Sequence, residues 1–205
     1  MADVAAVAQL SEADLHRLFG ARTARAFEEG EVTEDQRRAI YELTKMGPTA
    51  FNSQPLRIVW VSQDEARDRL VSHMMPGNQP KTAAAPMTAI LAVDETWHHK
   101  FDRFLPARPQ MGQMYREDEE LAQETGRSNA FIQVGYFVMA VRAVGLAAGP
   151  MTGFDAAGLD ASSSRSRPSS PGARRSTGAP KVRTAAGASR VSTATPLRPA
   201  RSPGS

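Results

Sequence analysis

The sequence changes character after Asp160, and that change fixes how much chain is left to build a core. Residues 161–205 hold eight arginines and one lysine, no acidic residue, and no Phe, Tyr, Trp, Ile or Met. Leu197, Val182 and Val191 are the only core anchors in that stretch; Ser, Arg, Pro, Ala, Thr and Gly make up nearly all the rest. Such a segment buries too little apolar surface to offset the entropy of ordering it, so it is expected to be a disordered tail. Folding falls to residues 1–160, the length of one domain. The net charge of +3 divides at the same point: the tail carries +9, which leaves −6 on residues 1–160. The basic balance therefore belongs to the tail and does not imply a nucleic-acid-binding domain.

Several chemistries are excluded at once. With no cysteine there can be no disulfide, thiolate zinc site or cysteine nucleophile. Four histidines, two of them adjacent at His98-His99, do not have the i,i+4 spacing that sets two ligands on one helix face, so no metal is expected. No Walker loop, GxGxxG or nucleophile elbow is present. Glu117-Asp118-Glu119-Glu120 reads as a solvated helix start rather than an acid/base pair. The longest apolar run, residues 83–93, is broken by Pro86 and falls short of the ~18 residues of a membrane helix. The N-terminus lacks the basic and apolar regions of a secretory signal, so a soluble cytoplasmic protein with no membrane partner is expected.

Within the body, Ser11-Glu12-Ala13-Asp14 opens a short helix. Thr33-Glu34-Asp35-Gln36 is a capping box, and Ala39, Ile40, Leu43 and Met46 follow at helical spacing, predicting a helix over 33–46. Residues 56–61 (Leu-Arg-Ile-Val-Trp-Val) predict a strand. Ser62-Gln63-Asp64-Glu65 predicts a second capping box and a helix to about Met74. Residues 86–93 form a nearly continuous apolar run, which fits a strand covered on both faces. Residues 97–113 are proline-interrupted and aromatic, and are expected to be an irregular insertion or lid. A helix over about 128–144 is apolar around most of its circumference, so it is expected to be central and buried, with Gly145 as its stop.

Four loops share one character. Arg22-Thr23-Ala24-Arg25 puts two cations around a hydroxyl; residues 47–55 (Gly-Pro-Thr-Ala-Phe-Asn-Ser-Gln-Pro) hold amides and hydroxyls between two prolines. Asn78 and Lys81 lie three apart in a turn-like stretch, and Gly149 to Gly153 is glycine-rich. Each reads equally as an ordinary surface connection. Together they supply cations, amides, hydroxyls and open backbone, which suits an organic phosphate-bearing cofactor positioned by the protein.

In order and spacing, these stretches resemble the FMN-dependent nitroreductases, and most closely the malonic semialdehyde reductase branch that forms 3-hydroxypropionate in pyrimidine degradation. The resemblance rests on Gly47 to Pro55, on Gly77-Asn78-Gln79-Pro80-Lys81-Thr82, and on Gly149-Pro150-Met151-Thr152-Gly153-Phe154-Asp155. It implies an α+β fold, a central antiparallel sheet flanked by helices, and a homodimer with two flavins at the interface. It places Arg22, Thr23 and Arg25, with Lys81, at the FMN phosphate, and Asn78 at the pyrimidine edge or ribityl chain. Pro48, Thr49, Ala50 and Asn52 would contact the flavin of the partner subunit, and Thr152 and Gly153 would offer backbone N–H groups near flavin N5. The implied reaction is ping-pong hydride transfer from NADH or NADPH through N5 to a small aldehyde, or to a nitro compound or quinone. No side chain is assigned as catalytic. His98, Arg103 and Arg108 are candidates to meet a carboxylate on the substrate.

The chain departs from the family pattern at two points. Ala21 stands where the family carries a further arginine, and the pattern stops where Leu159-Asp160 runs into Ala161-Ser162-Ser163-Ser164. The Ser/Arg/Pro/Ala/Gly bias beyond it is what an out-of-frame reading of GC-rich DNA gives. The domain is therefore expected to be truncated at about 160, with the tail a frameshift product and FMN binding impaired. The competing reading is a non-enzymatic remnant or a binding protein whose basic tail touches nucleic acid. Against that reading, the tail has no aromatic residue on which a base could stack.

Overall fold

The computed structural model describes residues 9–62, 64–165, 182–184 and 190–194, with 163–165 and the last two segments described as backbone alone. Its helices are α1 Glu12–Leu15, α2 Glu34–Thr44, α3 Glu65–Ser72, α4 Gln79–Ala84, α5 Phe101–Phe104, α6 Gln113–Glu117, α7 Glu119–Ala143 and α8 Ala156–Arg165. Its strands are β1 Leu56–Val61, β2 Met87–Asp94, β3 Ala147–Met151, β4 Val182–Thr184 and β5 Arg190–Ala194. All pairings are antiparallel in the order β1-β2-β5-β3, with β4 beside β5 on the same edge of β2.

Strand alternation decides what each face of the sheet buries. Met87, Ala89, Leu91 and Val93 of β2 point to one side, where they meet Ile40 of α2 and Val134, Phe137 and Val141 of α7. Ile90 points to the other, toward Val61, Leu70 of α3, Met151 and Leu159 of α8. Helices thus cover both faces, as the unbroken apolar run of β2 requires. Phe137 and Ile40 are fully buried, and each such side chain contributes about 1.5–3 kcal/mol of burial.

The predicted caps are partly realised. Thr33 and Gln36 form the reciprocal capping box. α3 starts one turn-step later than its sequence suggests: Asp64, not Ser62, caps it by accepting from the Ala66 N–H, and Ser62 donates to the Asp64 carboxylate. α7 ends in a Schellman motif, with Gly145 at φ +83° and hydrogen bonds Gly145 N–H to Arg142 C=O and Leu146 N–H to Val141 C=O.

Three expectations need correction. The Asn78–Lys81 stretch is not a loop: Asn78 precedes α4, and Pro80 sits in its first turn, where a missing N–H costs nothing. Residues 97–113 are not a loose lid, because four short helical turns pack Trp97, Phe101 and Tyr115 into a third core against Ala122 of α7. Gly126 allows this: a Cβ there would lie 2.6 Å from the Trp97 ring nitrogen, which donates to the Ala122 carbonyl at 2.9 Å. α7 is longer than expected and not buried all round. It begins at an Asp118 cap, buries Asn129 and Gln133, and leaves Phe131, Ile132 and Tyr136 exposed. Beyond Asp160 the described residues are the end of α8, which runs to Arg165, and the strands β4 and β5. Those two strands hold four of the six β-branched residues of that segment, Val182, Thr184, Val191 and Thr193. The rest of the expected tail lies outside the described residues.

Candidate functional site

Three sequence-distant segments converge along β3. The Ala24 N–H donates to the Ala148 carbonyl at 2.9 Å, which lays Arg22, Thr23 and Arg25 beside the start of the strand. Gly149 permits that approach, since a Cβ there would lie 2.8 Å from the Ala24 carbonyl oxygen. From the other side, Arg142 of α7 donates to the Leu18 and Ala21 carbonyls at 2.8 and 2.9 Å, fixing the backbone just before Arg22. Arg22, Thr23 and Arg25 are exposed. Among the described residues, neither arginine has a carboxylate within ion-pair reach.

At the far end of β3 the chain turns through Thr152 and Gly153. The Gly153 carbonyl accepts from the Met75 N–H and from the Asn78 carboxamide, both at 3.1 Å. Asn78 therefore does not cap α4, although it occupies the capping position; its amide nitrogen is held by Gly153 and its oxygen is left as an acceptor. The Gly153 N–H makes no hydrogen bond among the described residues. Lys81, three residues on in α4, is half-buried, and among the described residues no carboxylate pairs with it. Asp155 N–H to His73 C=O at 2.8 Å and the Met74–Phe154 bridge hold the turn in place.

From Ala148 to Gly153 the strand path covers about 17 Å. Unpaired cations and a hydroxyl stand at one end; an amide oxygen and an open backbone N–H stand at the other. This donor set fits an elongated ligand with an anionic end and a planar heterocyclic end, as FMN has.

The loop 47–55 is built separately. Its Ala50 N–H donates to Asn129 of α7 at 2.6 Å, and the Leu56 N–H donates to Gln133 at 3.0 Å. Phe51 is plugged against Phe101 and Tyr115, at centroid distances of 5.4 and 6.4 Å. Phe51, Asn52 and Gln54 all have positive φ, 56°, 54° and 42°, a left-handed backbone that L-residues adopt at a cost and only where packing holds it. The result presents Pro48, Ala50 and Asn52 to the outside, with Thr49 half-buried and its hydroxyl accepting from the Gln54 N–H at 3.2 Å. Among the described residues no hydrogen bond joins this loop to the Arg22–Asn78–Gly153 group.

The three extra cation candidates divide. His98 is 7% exposed and stacked edge-on to Trp97, so it does not line a cleft. Burial, helped by the neighbouring His99 and Arg116, pushes its pKa down. Arg103 and Arg108 are exposed. Three positioning residues have no sequence signature: Arg142, Asn129 and Gln133 are polar side chains on the inner side of an otherwise apolar helix, and that placement was their only signal.

Comparison with known proteins gives the family and the fold. A profile described as "Nitroreductase family" matches residues 18–162. A protein of Streptomyces griseus, named provisionally as an NADH dehydrogenase/NAD(P)H nitroreductase, is 50% identical over 139 residues, covering 68% of this chain and 71% of that one. A Streptomyces coelicolor protein with the same provisional name is 48% identical over the same shares. In fold, the chain is similar to a nitroreductase-like protein of Exiguobacterium sibiricum solved in complex with FMN, at TM-score 0.69 and 12% identity, covering 90% of this chain and 88% of that one.

Proposed function

The chain belongs to the nitroreductase family, and from that premise we propose that it is an FMN-dependent NAD(P)H oxidoreductase acting as a homodimer on a small electron-poor acceptor. The observation that carries this is the convergence on β3 of Arg22, Thr23 and Arg25 at one end and Asn78, Lys81 and Gly153 at the other. Bound FMN would supply the redox chemistry, taking hydride from NAD(P)H and passing it on. The chain's own residues bind and orient. Arg22 and Arg25, with the Thr23 hydroxyl, would hold the phosphate by charge-assisted hydrogen bonds, whereas Lys81, expected beside them, stands with Asn78 at the other end of β3 and would meet the heterocycle end. The Asn78 oxygen would accept from the heterocycle edge, and the Gly153 N–H would donate near N5.

Pro48, Thr49, Ala50 and Asn52 would serve the flavin of a second copy. Two features support this: the loop makes no hydrogen bond to its own chain's site among the described residues, and it adjoins exposed Phe131, Ile132 and Tyr136. For the acceptor, the motif resemblance favours malonic semialdehyde, whereas the names of the Streptomyces relatives favour a nitro compound. We also propose that residues 161–205 are an out-of-frame tail, which the end of the family match at residue 162 supports.

The deciding experiment is a visible spectrum of the purified protein with and without added FMN. NADH and NADPH oxidation would then be compared with malonic semialdehyde, a nitrofuran and a quinone as acceptors. A colourless protein that stays inactive with FMN added would overturn the enzyme reading. Equal turnover of all three acceptors would overturn the malonic semialdehyde assignment alone.

A further inference from the structure

On the other side of the loop 47–55 lies an open cavity of about 800 Å³, walled by α2, the start of β1 and the turn at 100–104. Six cations line it: Arg37, Arg38, Lys45, Arg57, Lys100 and Arg103; Glu34 is the one acidic residue of the lining. Four of the six have carboxylate partners. Arg37 pairs with Glu34 at 2.6 Å, Lys45 pairs with Glu42, and Arg57 and Lys100 share the Asp94 carboxylate at 2.6 Å each. Arg38 of α2 and Arg103 of α5 both line the cavity, both are exposed, and neither has a carboxylate partner among the described residues. Six cations against Glu34, Glu42 and Asp94 leave three positive charges in excess.

Two buried polar atoms at this lining have no partner among the described residues, the Ser53 hydroxyl and the Arg37 Nε. Both can donate. Ser53 itself is 6% exposed and sits at the mouth of the loop already described. The cavity is not merely ionic, because Tyr41, Trp60 and Phe104 also line it. Excess positive charge, donors without acceptors and aromatic walls in one space of this size match an anionic ring-bearing molecule better than a small carboxylate, which one cation would satisfy.

We propose that this cavity is a nucleotide-phosphate site that receives the phosphorylated adenosine half of NADPH, with Arg38 and Arg103 closing on the 2′-phosphate. The assignment rests on the oxidoreductase reading for the identity of the nucleotide. The shared wall supports it: Asn52, Ser53 and Gln54 line the cavity, and Asn52 belongs to the loop assigned to a flavin. A phosphate dianion between two otherwise unpaired arginines gains charge-assisted contacts that a ribose 2′-hydroxyl cannot match, so NADPH is preferred to NADH.

The test uses the full chain and adenosine 2′,5′-bisphosphate as probe, with adenosine as control. Trp60 lines the cavity and Trp97, the chain's second and last tryptophan, is 1% exposed, so probe binding is read as a saturable change in Trp60 fluorescence. The expected result is bisphosphate binding that weakens as salt rises, with adenosine bound far more weakly. In the double variant Arg38→Ala/Arg103→Ala, both exposed positions, affinity should fall at least about tenfold, and KM for NADPH should rise more than KM for NADH. Absence of bisphosphate binding, or equal affinity in the double variant, overturns the proposal. The two readings fail separately. A flavin-loaded protein that oxidises NADPH yet binds no bisphosphate sinks the cavity assignment alone. A flavin-free, inactive protein whose bisphosphate binding still depends on Arg38 and Arg103 sinks the oxidoreductase reading and leaves the phosphate site standing.

Discussion

Asn78 donates its side-chain amide to the carbonyl of Gly153, 3.1 Å away and 75 positions later in the sequence. That bond fixes which end of the carboxamide faces outward. It also explains the glycine, since a Cβ at 153 would lie 2.8 Å from the Asn78 nitrogen and 2.9 Å from the Met75 sulfur. Gly153→Ala should therefore push Asn78 aside. FMN affinity is expected to drop about tenfold, the worth of one or two displaced hydrogen bonds, while far-UV circular dichroism stays unchanged. A variant that keeps wild-type flavin affinity by fluorescence titration would show that Asn78 is not a ligand.

Arg142 holds the approach to Arg22. Its guanidinium bonds the Leu18 and Ala21 carbonyls from the last turn of α7. Arg142→Ala leaves both carbonyls without that donor and frees the segment that carries the proposed phosphate ligands. Stability should fall by about 2–3 kcal/mol, measured as a lower urea midpoint at unchanged slope. FMN affinity should fall as well, though no atom of Arg142 is assigned to the cofactor.

Local chemistry and tertiary placement were legible to different degrees. The capping box at Thr33–Gln36, the two-sided apolar run of β2 and the glycine stop at Gly145 are local devices, and each is found where the sequence puts it. The segment at Pro76 to Lys81 misleads because Pro, Gly and Asn punctuate turns, yet the first turn of a helix tolerates Pro80 equally well. Arg142, Asn129 and Gln133 were not legible as anchors, because which face of α7 meets Leu18, Ala50 or Leu56 depends on the packed fold. The basic cavity is hidden for the same reason: Arg38, Arg57 and Arg103 come from a helix, a strand and a turn that no local pattern relates. Exposed Phe131, Ile132 and Tyr136 looked like core because periodicity counts apolar residues without saying what covers them.

Asp94 gives the fold a pH signature. Its side chain is fully buried, and burial alone would raise its pKa; hydrogen bonds from Lys100 and Thr96 and the charges of Arg57 and Lys100 outweigh that and hold it below 3.8. The unfolded chain thus takes up this proton at a higher pH than the folded one. Its contribution is complete above pH 3.8 and is lost as pH falls from there through the folded pKa. Asp94→Asn should lower stability at pH 7 by about 2–4 kcal/mol, because Arg57 and Lys100 lose their shared anion. It should also flatten the acid limb of a stability–pH curve below pH 3.8. An unchanged acid limb would mean that Asp94 is not the group responsible.

The exposed apolar side chains of α7 and the loop 47–55 make a joint prediction about assembly. Phe131, Ile132 and Tyr136 are 40–46% exposed, and Tyr136 also fits against Gly47, where a Cβ would lie 2.8 Å from its ring. A charge placed at Ile132 meets water in a single chain and hydrocarbon in a dimer. Ile132→Asp should therefore leave the monomer folded, within about 0.5 kcal/mol, while halving the apparent mass in size-exclusion chromatography. If Pro48, Ala50 and Asn52 complete the flavin site of a second copy, the same variant should lose FMN although every residue along β3 is intact. Restoring FMN binding by raising protein concentration, with the dimer peak returning in step, would tie cofactor retention to association. A monomeric variant that binds FMN as tightly as the parent protein would show instead that one chain holds the complete site.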